Sequence, residues 1–293
     1  MKQNILITGA NGQLGQSLQY VFSEKQTEKF NIYSTDVDTL DITDCKALEN
    51  YIINNKIDSI VNSAAYTAVE KAETEEEKAY LINEQAVVNL AAIAKKRNLF
   101  LIHISTDYVF DGTSRVPYTP EMPINPISVY GKSKAAGEKA ILDQQIRSAI
   151  IRTSWLYSPY GGNFVKTMVR LGKERESLQV VNDQIGAPTY GADLAEVIFA
   201  ILGECNSFSG PEIYHYANEG VISWYDFAKE IMRLTQLDCQ VTPISSAAYP
   251  AKVQRPAYSV FDLSKIQKRF NLHIPTWTES LEKAMPEILS NTR

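Results

Sequence analysis

Ile5-Leu6-Ile7-Thr8-Gly9-Ala10-Asn11-Gly12-Gln13-Leu14-Gly15 runs an apolar segment straight into a Gly-x-x-Gly-x-x-Gly turn. Residues 5–8 read as a buried strand, and residues 12–22 as the helix that the turn opens. A glycine turn between a strand and a helix lets the backbone come close to a pyrophosphate. The helix N-terminus adds unpaired N–H groups and a dipole that favours negative charge. This context separates a dinucleotide-binding turn from an ordinary tight turn. Gly9, Asn11, Gly12, Gln13, Leu14 and Gly15 are therefore expected at a cofactor. The spacing differs from Gly-x-Gly-x-x-Gly and points to another dinucleotide-binding family.

The rest of the first half keeps the alternation. Strands are expected at residues 31–35, 58–61, 100–104 and 149–152. Helices are expected at 44–54, 75–97 and 126–144, the 75–97 segment with an apolar face at Ala79, Ile82, Ala86, Leu90 and Ile93. Alternating strands and helices imply parallel pairing through right-handed crossovers, hence an α/β, Rossmann-like doubly wound sheet. Later the pattern changes. Residues 161–173 and 192–202 read as helices, 180–181 and 213–216 as short strands, and 243–256 as loop. Ser223 is a good cap for a helix over 223–235. The expected division is a dinucleotide-binding domain over 1–155, receiving some later elements, and a mainly substrate-binding lobe over 156–293. The cleft between them is the default ligand site.

The bulk properties exclude several classes. A net charge of −5 provides no electrostatic footprint for nucleic acid. Cys45, Cys205 and Cys239 lie far apart, which suits a reducing cytoplasm and no metal cage. The run at residues 5–7 is too short for a signal peptide or a membrane span. A cytoplasmic protein with no membrane association is expected.

The chemistry gathers at three places. Tyr130-Gly131-Lys132-Ser133-Lys134 sets a phenol and an ammonium four residues apart, on one face of a helix. A neighbouring lysine favours tyrosinate and lowers a phenol pKa, fitting it for proton transfer near neutral pH. Ser105-Thr106-Asp107 follows the fourth strand at its carboxyl end, where ligands sit in open α/β sheets. A hydroxyl there can bond a carbonyl oxygen that Tyr130 protonates while a nicotinamide delivers hydride. Asp36 ends the second strand, where a carboxylate can bond both ribose hydroxyls. Asp41 is expected near the adenine, and Ala64 and Ala65 where the cofactor backbone passes. Lys134 is also within expected reach of the nicotinamide ribose. His103 lies inside an apolar strand run and reads as a satisfied buried histidine, not as the base of a serine nucleophile. The acidic run from Glu73 to Glu77 reads as a solvated helix start, not as a metal site.

The glycine turn, Ser105-Thr106-Asp107-Tyr108-Val109-Phe110 and the Tyr130–Lys134 segment resemble the extended short-chain dehydrogenase/reductase family. Longer blocks are similar to the dTDP-4-dehydrorhamnose reductases within it: Asn62-Ser63-Ala64-Ala65-Tyr66-Thr67-Ala68-Val69-Glu70-Lys71-Ala72-Glu73, Arg152-Thr153-Ser154-Trp155, Gly162-Asn163-Phe164, Asn182-Asp183-Gln184-Ile185-Gly186-Ala187-Pro188-Thr189 and Arg255-Pro256. The resemblance spans nearly the whole chain. It implies reduction of the 4-keto group of dTDP-4-dehydro-beta-L-rhamnose to dTDP-L-rhamnose, for cell-surface polysaccharide. NADPH is the implied cofactor, with NADH also accepted in some members. By the same resemblance Thr106 polarises the keto oxygen, Tyr130 donates the proton, and Lys134 tunes Tyr130 and holds ribose. Tyr66 joins the cofactor residues. Asp107, Tyr108, Trp155 and Asn163 serve the substrate, and Arg255 pairs with its diphosphate, which a guanidinium matches in geometry. Two departures stand out. Tyr258 occupies a position where many members carry asparagine. Gln16 and Ser17 replace the first-helix region that supplies a magnesium-bridged dimer elsewhere, so no metal is expected, and the chain is expected as a monomer or homodimer. The enzymatic rivals are another nucleotide-sugar epimerase and a 4,6-dehydratase. Tyr108 stands where dehydratases place a glutamate. The rival of another class is a binding module like the regulatory subunit of methionine adenosyltransferase, against which Thr106, Tyr130 and Lys134 together argue.

Overall fold

The computed structural model describes residues 2–25, 29–249 and 253–291. Six parallel strands form the central sheet: β1 (Gln3–Thr8), β2 (Phe30–Thr35), β3 (Ser59–Asn62), β4 (Phe100–Thr106), β5 (Ser148–Thr153) and β6 (Pro211–Tyr216). Their spatial order is β6-β5-β4-β3-β1-β2. Helices cover both faces, so the strands are apolar on both. Ile5, Ile7, Val61, Ile102 and Ile151 pack with Leu14, Leu18 and Ile198 on one side. Leu6, Ile60, Leu101 and Ile150 pack with Leu48, Leu90 and Ile141 on the other. The alternation along each strand is the period of two of a pleated backbone. The doubly wound architecture is the one expected.

Elements from the later chain return to this sheet. β6 pairs with β5, and the helix Gly191–Gly203 packs on the helix Gln13–Glu24. The helix Ser264–Phe270 packs on β6 as well, while other later elements build a smaller layer. Its helices Phe164–Glu174 and Trp224–Thr235 pack on each other and on a parallel pair, Ser177–Val181 with Gln240–Ile244. Ser223 caps the second of these helices in a reciprocal capping box with Asp226.

Two expectations need correction. The loop expected over 243–256 begins later, because Pro243 and Ile244 complete the strand Gln240–Ile244. Proline is tolerated in a two-stranded pair that leaves its nitrogen side free. Residues 250–252 lie outside the described residues. The single helix expected over 75–97 is three pieces: Glu76–Tyr80, a π-helical turn Leu81–Gln85, and Ala86–Arg97. Asn83 is the reason. Its side chain is buried, accepts from the Tyr66 N–H at 2.9 Å, and donates to the Tyr66 carbonyl and the Ser133 hydroxyl, both at 3.0 Å. A wider turn brings that amide inward, as π-bulges do near functional sites.

Candidate active site

The glycine turn is shaped by two of its three glycines. Gly9 has φ +68°, and a Cβ there would lie 2.6 Å from the backbone nitrogen of Ala64. A Cβ on Gly15 would lie 2.2 Å from the carbonyl oxygen of Gly9. Gly12 has ordinary φ, and its nearest obstacle stands at 3.2 Å. Gly12 borders a cavity of about 1020 Å³ that runs over the carboxyl ends of β1 to β5. Gly9, Asn11, Gln13, Leu14, Gly15, Asp36, Asp41, Ala64 and Ala65 line the same cavity. Asp36 also braces the turn: Oδ2 accepts from the Asn11 N–H and Oδ1 from the Val37 N–H, both at 2.8 Å. The expected cofactor residues are thus brought together, Tyr66 excepted. Length, close backbone approach and a helix N-terminus at Gly12 fit a dinucleotide.

Thr106, Asp107, Tyr108, Tyr130, Lys134 and Trp155 line the other end of the cavity. Ser128 caps the helix Val129–Gln144, accepting from the Gly131 N–H at 3.1 Å, and so fixes where Tyr130 enters. The Thr106 hydroxyl donates to Asp107 Oδ1 at 2.9 Å and accepts from the Tyr108 N–H at 3.2 Å. The rings of Tyr108 and Tyr130 meet edge to face at 5.4 Å. Burial raises the Asp107 carboxyl to about 6, against the bonds from Thr106 and Ser259.

The tuning of Tyr130 differs from the expectation. Burial pushes its phenol up to about 12, and the lysine charge does not offset this. Lys134 Nζ is turned away, donating to the Ile104 carbonyl at 2.6 Å and facing His103 Nε2 at 3.3 Å. Burial lowers its own ammonium to about 8, opposed by the charge of Glu138. Tyr130 therefore stands as a protonated donor beside a lysine poised near neutrality.

A second buried group escapes sequence reading. Arg152 donates through Nε and Nη2 to the two oxygens of Glu138, at 2.9 and 2.7 Å. The Ser105 hydroxyl donates to Glu138 at 2.5 Å, and Arg152 Nη1 reaches His215 Nε2 at 3.3 Å. Ser105, Arg152 and His215 are register neighbours across β4, β5 and β6. The row anchors the helix Val129–Gln144 to the strand that carries Thr106. Arg152 opens the Arg152-Thr153-Ser154-Trp155 motif, but residues as far apart as 105, 138 and 215 give no spacing signal.

Three expected site residues lie off the cavity. Tyr66 is buried, its hydroxyl on Glu75 at 3.2 Å and its backbone held by Asn83. Asn163 caps the helix Phe164–Glu174 and donates to Gln13 at 3.0 Å, so it supports the turn from behind. Arg255 borders a second cavity of about 820 Å³, with Phe164, Arg175, Gln184, Trp224 and Tyr249. It faces Glu70 at 3.5 Å, and its buried Nε has no hydrogen-bond partner among the described residues. Trp155 and Trp224 stack at 3.6 Å between the two cavities. Trp155 holds φ +47°, a left-handed conformation that bulky residues rarely adopt and that is kept where the surroundings enforce it.

Comparison with known proteins agrees over the full length. A family model described as RmlD substrate binding domain matches residues 1–290. A dTDP-4-dehydrorhamnose reductase from Aggregatibacter actinomycetemcomitans is 42% identical, covering 95% of this chain and 97% of its own. A dTDP-4-keto-6-deoxy-D-glucose reductase from Streptomyces niveus is 38% identical, covering 98% of each. Among solved structures, a dTDP-4-dehydrorhamnose reductase from Bacillus anthracis in complex with NADP is 41% identical, with a TM-score of 0.92 over 98% of this chain and 100% of that one.

Proposed function

The chain belongs to the dTDP-4-dehydrorhamnose reductase family, and from that premise we propose that it reduces the 4-keto group of dTDP-4-dehydro-beta-L-rhamnose with NADPH. The observation that carries this is the meeting of Thr106, Tyr130 and Lys134 at one end of a cavity whose other end is the glycine turn. When bound, the reduced nicotinamide supplies a hydride. Gly12 would admit the pyrophosphate, in a turn that Gly9 and Gly15 shape, and Asp36 would take the adenosine ribose. Thr106 holds the keto oxygen by its hydroxyl, and Tyr130 gives that oxygen its proton as negative charge develops there. Lys134, on the same helix and lining the same cavity, is assigned to the nicotinamide ribose. Asp107, Tyr108 and Trp155 wall the sugar. Arg255, with an unspent N–H, is assigned to the diphosphate, and the cavity around Phe164 and Trp224 to the nucleoside. On this reading residues 1–155 bind the cofactor with help from β6, and residues 156–293 mainly bind the substrate. The setting proposed is the cytoplasm.

The Streptomyces niveus relative supports a second reading, in which the sugar is another dTDP-4-keto-6-deoxy hexose. The test is oxidation of NADPH and NADH with both dTDP-4-keto sugars, made by the upstream enzymes. The proposal expects kcat/KM highest for dTDP-4-dehydro-beta-L-rhamnose. Preference for the D-gluco ketone supports the second reading, and no turnover of either contradicts both.

A further inference from the structure

Behind Lys134 lies a row of polar side chains that the proposed mechanism does not use. Thr8, Asn62 and His103 are register neighbours across β1, β3 and β4, and all three are buried. The Thr8 hydroxyl donates to Asn62 Oδ1 at 2.7 Å. Asn62 Nδ2 meets His103 Nδ1 at 3.0 Å, and His103 Nε2 meets Lys134 Nζ at 3.3 Å. Burial, with the charge of Lys134, holds the imidazole neutral, its pKa lowered well below the usual histidine range.

A neutral imidazole has one N–H and one acceptor nitrogen, so the row has only two self-consistent states. In the arrangement seen, Asn62 donates to Nδ1, the ring proton is on Nε2, and Nζ accepts it as an uncharged amine. Its N–H still serves the Ile104 carbonyl. Turning the Asn62 amide by half a turn reverses every bond. Nδ1–H then donates to the amide oxygen, the amide N–H donates to Thr8, and Nε2 accepts from a lysine ammonium.

Resting on the reductase reading, we propose that His103 is a positioning residue for Lys134. Through its tautomer and the Asn62 amide, it sets where the lysine exchanges ammonium for amine. The other ionisable groups around Lys134 are accounted for. Glu138, one turn along the same helix, is paired with Arg152, and its charge still raises the Lys134 ammonium, in the wild type and in variants of His103 and Asn62 alike. Tyr130, one turn back, is a phenol that burial pushes up to about 12, so it carries no charge near neutral pH. No ionisable side chain enters from Thr8 or Asn62. His103 is thus the group in hydrogen-bond contact with Nζ whose acceptor can be switched.

The test is a ¹³C NMR titration of lysine labelled at Cε, with the Lys134 signal assigned by its loss in Lys134→Met. It needs no substrate, so it stands apart from the activity assay on which the reductase reading depends. His103→Phe removes the bond made in either state; the one to the ammonium is the stronger, so the Lys134 midpoint falls by roughly one pH unit. Asn62→Asp accepts from Nδ1–H, fixes Nε2 as acceptor and raises the midpoint. His103→Gln, whose amide oxygen can take the same bond, stays close to the wild type. The alkaline limb of kcat moves in the same directions, while KM for the nucleotide sugar holds. If His103→Phe does not fold, the Asn62→Asp shift is compared with that in Asn62→Asp/His103→Gln: a rise that persists without the imidazole comes from the charge alone and overturns the proposal, and a rise lost there supports it. Unchanged midpoints in the folded variants reduce His103 to packing and overturn the proposal.

Discussion

Asp107 and Asp36 are both carboxylates at the carboxyl edge of the sheet, and their surroundings give them different work. Asp107 is buried, with a folded pKa of about 6 against an ordinary 3.8. Between those values the folded state binds more protons than the unfolded one, so stability falls as pH rises through the interval. Asp107→Asn should therefore stabilise the protein at pH 8, by roughly 1–3 kcal/mol, and leave it near wild type at pH 4. Thermal unfolding at the two pH values checks this, and a gain of equal size at both would remove the charge from the explanation. Asp36 braces the turn through two backbone N–H groups and still has lone pairs for ribose hydroxyls. The lining around it, Val37, Leu40, Asp41, Ile42 and Thr43, carries no cation to meet a 2′-phosphate. Measurable use of NADH is expected, and Asp36→Ala should move the ratio of kcat/KM values toward NADPH. A ratio that stays put or reverses assigns the choice to another residue.

At the scale of elements, the turn separates fold from binding. Gly15 is closed by the Gly9 carbonyl, whereas Gly12 is open toward the cavity. Gly15→Ala is expected to lose roughly 1–3 kcal/mol of stability through overpacking. Gly12→Val should stay folded and lose calorimetric affinity for NADPH and NADH. Intact binding by a folded Gly12→Val would refute the placement of the pyrophosphate. The sheet was legible in the sequence because both of its faces are covered, and so each strand reads as an apolar run between helices. The capped helix at Ser223 was legible because capping is local. The π-helical turn was not. Its cause is the bond of Asn83 to Tyr66 and Ser133, a contact between three separate segments, while the apolar face at Ala79, Ile82 and Ala86 fits an unbroken helix equally well. Proline at 243 likewise argued for loop where pairing with Ser177–Val181 makes a strand.

At the scale of the whole molecule, the ends of the sheet border the first cavity and the later layer borders the second. Motif residues on loops after β1, β2, β3 and β4 converge because parallel strands end on one edge, and this convergence is what the motifs made legible. Side chains that hold the motif from behind, Glu138, Arg152 and His215, were illegible because only folding makes them neighbours. Arg255 reaches Glu70 across the two parts of the chain, at the border of the second cavity. Arg255→Ala should raise KM for the nucleotide sugar roughly 10- to 100-fold, the range of one or two bonds to a charged group. Cofactor affinity should not change, and a change confined to the cofactor would move Arg255 to the other ligand. The central claim is that a protonated Tyr130 completes reduction of a 4-keto nucleotide sugar. Its most direct test is a single turnover of enzyme preloaded with NADPH and mixed with dTDP-4-dehydro-beta-L-rhamnose, following nicotinamide oxidation and the sugar together, in wild type and in Tyr130→Phe. One dTDP-L-rhamnose per NADPH is expected from the wild type, with the rate constant reduced roughly 100- to 10,000-fold in Tyr130→Phe at unchanged NADPH affinity. A near-normal rate in Tyr130→Phe, or a wild type that binds NADPH and leaves the ketone unreduced, would contradict the account.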